Sequence, residues 1–157
     1  MADNKTAPDA QATEAAEGPW AAGKSALACR VLLSVIFLST GIAGLSAPMG
    51  FAQGLGQMGV PFPAFCAIAA TALNIVAPFV LIFDVARLGW IAAFALAGFT
   101  VLTIPFGHPF WAFSEPRHSE ELRIAIEHVS LIGGLVLAGL GSLSRWRERP
   151  RRHSVPR

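Results

Sequence analysis

Charge is what this 157-residue sequence has least of: Asp, Glu, Lys and Arg together make up 14% of it. From Val31 to Phe83 there is no Asp, Glu, Lys, Arg or His, and from Leu88 to Ser114 only His108 interrupts a second neutral stretch. A soluble domain of this size carries charge on nearly every surface element, so that class is excluded. A bilayer core about 30 Å thick calls for about 20 apolar residues per helix and penalises charge by several kcal/mol. Cysteine is almost as scarce: Cys29 and Cys66, with no CxxC, exclude a disulfide scaffold and supply no metal-ligand spacing.

What is present is apolar material, 54% of the chain, more than a soluble core of this length can hide. It falls into four segments near the spanning length, about Ala26 to Ser46, Pro63 to Phe83, Leu88 to Phe106 and Ile124 to Leu143. The expected fold is all-α, an integral membrane bundle of four transmembrane helices. Residues 1–24 read as a disordered cytoplasmic tail, 25–144 as the membrane domain and 145–157 as a basic cytoplasmic tail. A cleaved signal peptide is disfavoured, because the leading region carries Asp3, Asp9, Glu14 and Glu17 rather than a compact basic start.

With both termini inside, the inner face holds Lys5, Lys24, Arg30, Arg87 and the tail arginines Arg145, Arg147, Arg149, Arg151, Arg152 and Arg157, leaving only Arg117 and Arg123 outside. That distribution obeys the positive-inside rule, so the expected topology is multi-pass with cytoplasmic termini. The basic tail is a topology signal, and no nucleic-acid partner is expected; membrane lipid is. This topology separates Cys29 from Cys66 by about 20 Å in depth, too far for a disulfide, and both read as small buried filler.

Four features carry polar chemistry. Pro78 deprives the carbonyl of Asn74 of its helix donor, so Asn74 and Pro78 form a candidate intramembrane polar site; the plainer reading is an asparagine bonded to a neighbouring helix. In the loop from Ala47 to Phe62, Phe51, Leu55 and Met58 recur at helical spacing with Gln53 and Gln57 turned elsewhere. This describes an amphipathic turn on the headgroups or a lid over a quinone- or lipid-sized pocket, with Gly50, Gly54 and Gly56 weakening the helix. Gly107-His108-Pro109-Phe110-Trp111 suits an aromatic belt that does not require its histidine. The fourth helix is entered through Glu120, Glu121, Arg123, Glu127 and His128, where a surface ladder through Arg123 accounts for Glu127 and His128 is rotated about 100° from it. His108, His128, Trp111 and Glu127 are thus the candidate ligand or proton site. No metal is expected, the spacing matching no ligand motif. Gly134, Ala138 and Ser142 make a small-residue packing face.

Taken in order, Arg30 at the head of the first helix, Gly41-Ile42-Ala43-Gly44-Leu45, the Phe51 to Pro61 loop closing on Gly59-Val60-Pro61, the Asp84 to Arg87 turn, His108-Pro109-Phe110-Trp111 and His128-Val129-Ser130-Leu131-Ile132-Gly133-Gly134 make the chain resemble the DoxX family of small bacterial inner-membrane proteins, from about Arg30 to Leu143. The resemblance implies a four-helix membrane bundle and, for some members, association with membrane oxidoreductases, including sulfur-compound oxidation feeding quinone. Three positions depart from the pattern: Gly44 stands where similar proteins often carry lysine, Asn74 where they often carry glutamate and His128 where asparagine is usual. Loss of lysine and glutamate together is coherent if they form a buried pair, since removing one alone strands a charge.

The expectation is an accessory or structural subunit, without catalytic activity by itself, serving a quinone- or sulfur-linked redox system through another membrane or redox protein. Two alternatives stay open: a quinone- or small-molecule-binding oxidoreductase using the outer histidine pocket, and a small-molecule transporter centred on Asn74 and Pro78. Quinone is the one cofactor considered; there is no motif for metal, haem, flavin or nucleotide, and the sequence does not state an oligomer.

Overall fold

Many large apolar side chains point outward in this protein, and alanine makes up half of its buried core. A computed structural model describes residues 23–147. Among them the chain forms α1 (Lys24–Ser46), α2 (Pro48–Gln57), α3 (Pro63–Phe83), α4 (Gly89–Gly107) and α5 (Arg117–Arg147), with single 3₁₀ turns at Val85–Arg87 and Phe110–Ala112. The tail arginines Arg149, Arg151, Arg152 and Arg157 and the N-terminal segment expected to be disordered lie outside the described residues.

All helices but α2 are long and apolar enough to cross a membrane. Their buried core is Phe37, Ala77, Leu81, Ala92, Ala93, Leu96, Ala97 and Leu135, half of it alanine, while Leu32, Phe65 and Ile68 are each at least 70% exposed. Lipid tails are as apolar as leucine, so helix association here rests on close packing rather than on hiding leucine. Small residues provide it. Gly41 lies against Ile75 and the Asn74 backbone, and Gly139 against Ala93 and Phe94.

The helices pack in the order α1, α3, α4, α5, and α1 meets α5 only sparingly, at Gly134 against Leu33 and through charged groups at one end. Prolines at the first position start α2 and α3, where the missing N–H costs no helix bond. Two expected boundaries shift. The Ala47–Phe62 loop contains the ten-residue helix α2 despite its three glycines, because Pro48 starts it and packing against α3 holds it. The last helix starts seven residues before Ile124, at Arg117, and continues to Arg147. At 1.5 Å per residue its 31 residues reach about 46 Å, longer than a bilayer core of about 30 Å. Arg145 and Arg147 therefore belong to this helix rather than to a separate tail.

Candidate functional site

Two polar centres organise the bundle, one at each end. At the end where α3 hands over to α4, Asp84 accepts hydrogen bonds at Oδ1 from the Gly89 amide (2.9 Å) and the Ser142 hydroxyl (2.7 Å). Its Oδ2 faces the guanidiniums of Arg145 (3.3 Å) and Arg30 (3.7 Å). One carboxylate thus ties α1, α4 and α5 to the end of α3 and caps the first turn of α4, where the helix dipole favours negative charge. Arg87 donates to the Arg145 carbonyl at 3.0 Å, completing the junction. The turn is strained: Asp84, Ala86 and Arg87 have φ of 47°, 51° and 60°, a left-handed region that costs non-glycine residues about 1 kcal/mol or more each.

At the opposite end a cavity of about 370 Å³ lies between α1, α3, α4 and α5, with α2 as one wall. Phe51, Leu55 and Met58, the residues spaced as one helical face, all line it, while Gln53 and Gln57 are exposed. Its polar lining is Asn74, Thr100, Thr103, His108 and His128, with Thr40 on the α1 side. The Thr100 and Thr103 hydroxyls donate to the carbonyls of Leu96 and Thr100, at 2.8 and 2.7 Å. Asn74 is 1% exposed; its Nδ2 donates to the Ala70 carbonyl (2.8 Å), but its Oδ1 is buried without a hydrogen-bond partner. The Asn74 carbonyl also lacks its usual donor, since Pro78 has no N–H. A buried oxygen left unmatched costs about 1–3 kcal/mol, so Asn74 Oδ1 is an acceptor at the cavity suited to a donor.

The His108 and His128 rings stand 4.9 Å apart, centre to centre. His128 Nδ1 donates to the Ile124 carbonyl at 2.8 Å, because a carbonyl can only accept. His108 Nδ1 meets Glu121 Oε2 at 2.8 Å. Both contacts hold the rings by Nδ1 and leave Nε2 as the nitrogen available to a ligand. The hydrogen bond from His108 holds the Glu121 carboxyl below its ordinary range; burial opposes this and Arg117 at 3.4 Å assists it. Glu121 precedes the apolar stretch that begins at Ile124 and sits outside the spanning part of α5.

A carboxyl whose value is lowered on folding adds stability above its unfolded value and loses it as pH falls through the folded one. The stability advantage of the wild type over Glu121→Gln is therefore expected to shrink as pH drops below the ordinary carboxylate value of 4.5. Thermal melts of both proteins across that range check it.

The two candidate sites read separately from the sequence meet in this cavity: Asn74 from one, His108 and His128 from the other. Pro78 is buried one turn further along and does not line the cavity. Trp111 does not contribute; it is 59% exposed, its ring edge-on to Phe110 in the belt. Glu127 is also outside, held by Arg123 at 3.3 Å on an exposed face. The carboxylate that meets a histidine is Glu121, bonded to His108, and it shares a face with His128 because seven residues make nearly two turns. That spacing was available in the sequence. Asp84 was too, as the one acidic residue between Val31 and Ser114. Among the described residues no group of three side chains of ligating type is placed to hold a metal.

Position 44 faces Thr71 and Phe51: a Cβ there would collide with the Thr71 hydroxyl and lie 3.3 Å from the Phe51 ring. The α1 glycine against Asn74 is Gly41 instead.

This arrangement of four spanning helices belongs with a sequence match to the DoxX family over residues 25–109. The chain belongs to the DoxX family. No curated protein and no solved structure matches it. The DoxX match covers α1 to α4 up to Pro109, and so includes His108, Asn74 and Asp84; His128 and Glu121 come from α5, beyond it. The protein is a multi-pass DoxX membrane protein whose cavity draws on residues inside and outside the matched region.

Proposed function

We propose that this DoxX protein holds a quinone-type molecule in the cavity behind α2 and serves as an accessory subunit to a membrane redox enzyme. The observation that carries the binding role is the convergence of Asn74, His108 and His128 on one cavity whose remaining lining is mostly apolar, Phe37, Phe51, Phe99 and Leu131 among it, with three threonines. A cavity of about 370 Å³ falls within the range of small-molecule sites, which are mostly apolar with a few placed polar groups. A ring bearing oxygens at both ends matches it. Its hydroxyl form donates to the Asn74 oxygens, and a ring oxygen reaches the open nitrogen of a histidine, which donates or accepts according to its protonation. The two termini lie in the cytoplasm in this reading, with Lys24, Arg30, Arg87, Arg145 and Arg147 on the inner side and the cavity toward the outer face.

The subunit role follows from the DoxX association with membrane oxidoreductases and from the lack of an electron-carrying motif in this chain. Purification in a mild detergent, followed by an absorption spectrum and mass spectrometry of what accompanies the protein, is expected to return a quinone and a partner protein. In titrations with a short-chain benzoquinone, Asn74→Leu and His128→Leu are each expected to weaken binding up to about tenfold, the worth of one hydrogen bond. Unchanged affinity in the double variant His108→Ala/His128→Ala would refute the site.

A further inference from the structure

The sparse contact between α1 and α5 leaves a groove of about 360 Å³ on the flank of the bundle, remote from the histidine cavity. Its walls are apolar, with Leu33, Gly134, Leu137 and Gly141 among them, and Arg30 and Arg145 stand at one end. Leu32 and Leu137, at its mouth, are 73% and 57% exposed, so it opens sideways into the hydrocarbon. Gly134 against Leu33 narrows it. Gly134 and Gly141 lie two turns apart on α5, about 10 Å, and with Ala138 between them keep the α5 wall of the groove shallow.

The charge at this end is one-sided. Asp84 is the one carboxylate there among the described residues, and it faces both Arg30 and Arg145, with Arg87, Lys24 and Arg147 close in sequence to the same helix ends. The other described acids, Glu115, Glu120, Glu121 and Glu127, belong to the histidine end. A slot that is apolar along its length and carries excess guanidinium at the membrane surface is complementary to one molecule the bilayer always supplies.

We propose that the α1–α5 groove seats an anionic phospholipid, with its phosphate at Arg30 and Arg145 and an acyl chain along Gly141 and Gly134. A basic residue near the surface attracts an anionic headgroup by about 1 kcal/mol, or about fivefold in occupancy. The acyl chain takes the place of the side chains that α1 and α5 do not offer each other.

The test uses the full chain in phosphatidylcholine vesicles containing chain-labelled phosphatidylglycerol or chain-labelled phosphatidylcholine, read by spin-label immobilisation. The wild type is expected to immobilise phosphatidylglycerol at least about fivefold in preference. Leu137→Trp fills the groove from a lipid-facing position without touching the Asp84 junction, and is expected to abolish that preference while the melting temperature holds. Equal immobilisation of the two lipids by the wild type would overturn the proposal. So would a preference that survives Leu137→Trp, which would mean surface charge alone. Cys29 is exposed and lines the groove; efficient oxidative cross-linking through it in a Cys66→Ser background would assign the groove to a second copy of the chain and overturn the proposal as well.

Discussion

Asp84→Ala is expected to lower the stability of the bundle by about 3 kcal/mol or more, the largest single effect of any substitution considered for this protein. The substitution removes four contacts at once. The Gly89 amide and the buried Ser142 hydroxyl lose their acceptor, and Arg30 and Arg145 lose the counter-charge between them. Breaking a fully buried ion pair costs about 3–5 kcal/mol, and each stranded buried donor about 1–3 kcal/mol. The Asp84 and Arg145 side chains are 17% and 33% exposed, so the ionic share is reduced by solvent, and the lower part of the summed range applies. The strained Val85–Arg87 turn would lose its brace at the same time. Asp84→Asn keeps an oxygen for Gly89 and Ser142 but not the charge, so it should fall between wild type and alanine. Thermal melting of the three proteins in one detergent gives the order. If Asp84→Ala melts with the wild type, the junction is not what holds α3, α4 and α5 together.

Gly44→Lys is expected to cut folded yield sharply, and adding Asn74→Glu is expected not to restore it. A buried lysine–glutamate pair at these positions would give the opposite result for the double variant. The packing explains the difference. At position 44 the obstacle is Thr71, whose hydroxyl occupies the space of the Cβ, and Phe51 stands behind it. No charge placed at position 74 removes that collision. Overpacking of this kind costs about 1–3 kcal/mol. Asn74→Glu alone places a carboxyl at a site 1% exposed in mid-membrane, worth about another 2.5–3.5 kcal/mol of penalty if it ionises. Yield and melting temperature of the two single variants and the double variant measure this. Recovery of the double to near wild type would show that Thr71 yields and that positions 44 and 74 act as a pair.

Much of the architecture was legible because a bilayer imposes a simple rule on sequence. The spans of α1, α3 and α4 lie within two residues of the apolar segments, since neutrality and length alone define a spanning helix. The early start of α5 was not legible from hydropathy, because its first two turns are helical and polar and stand outside the hydrocarbon. The face formed by Phe51, Leu55 and Met58 was readable from period 3.6, and a pocket beneath it was one of its two readings; which side chains of the other helices line that pocket was not readable. Glu127 adjoins His128 in sequence but points to a different side of the helix, whereas Glu121, seven residues away, shares the face of His128.

The sequence by itself determined the solvent, the number of spanning helices, their approximate ends and the family, because each depends on local composition and order. Only the tertiary structure decided which polar groups meet. Asn74 on α3, His108 after α4 and His128 on α5 come to one cavity, and Asp84 gathers Arg30, Gly89, Ser142 and Arg145, because glycine and alanine contacts set how closely and in what rotation the helices approach. In lipid no hydrophobic gradient marks the inner face of a helix. The side that turns inward is chosen by fit between neighbours distant in the chain, and that choice is made only when the helices pack.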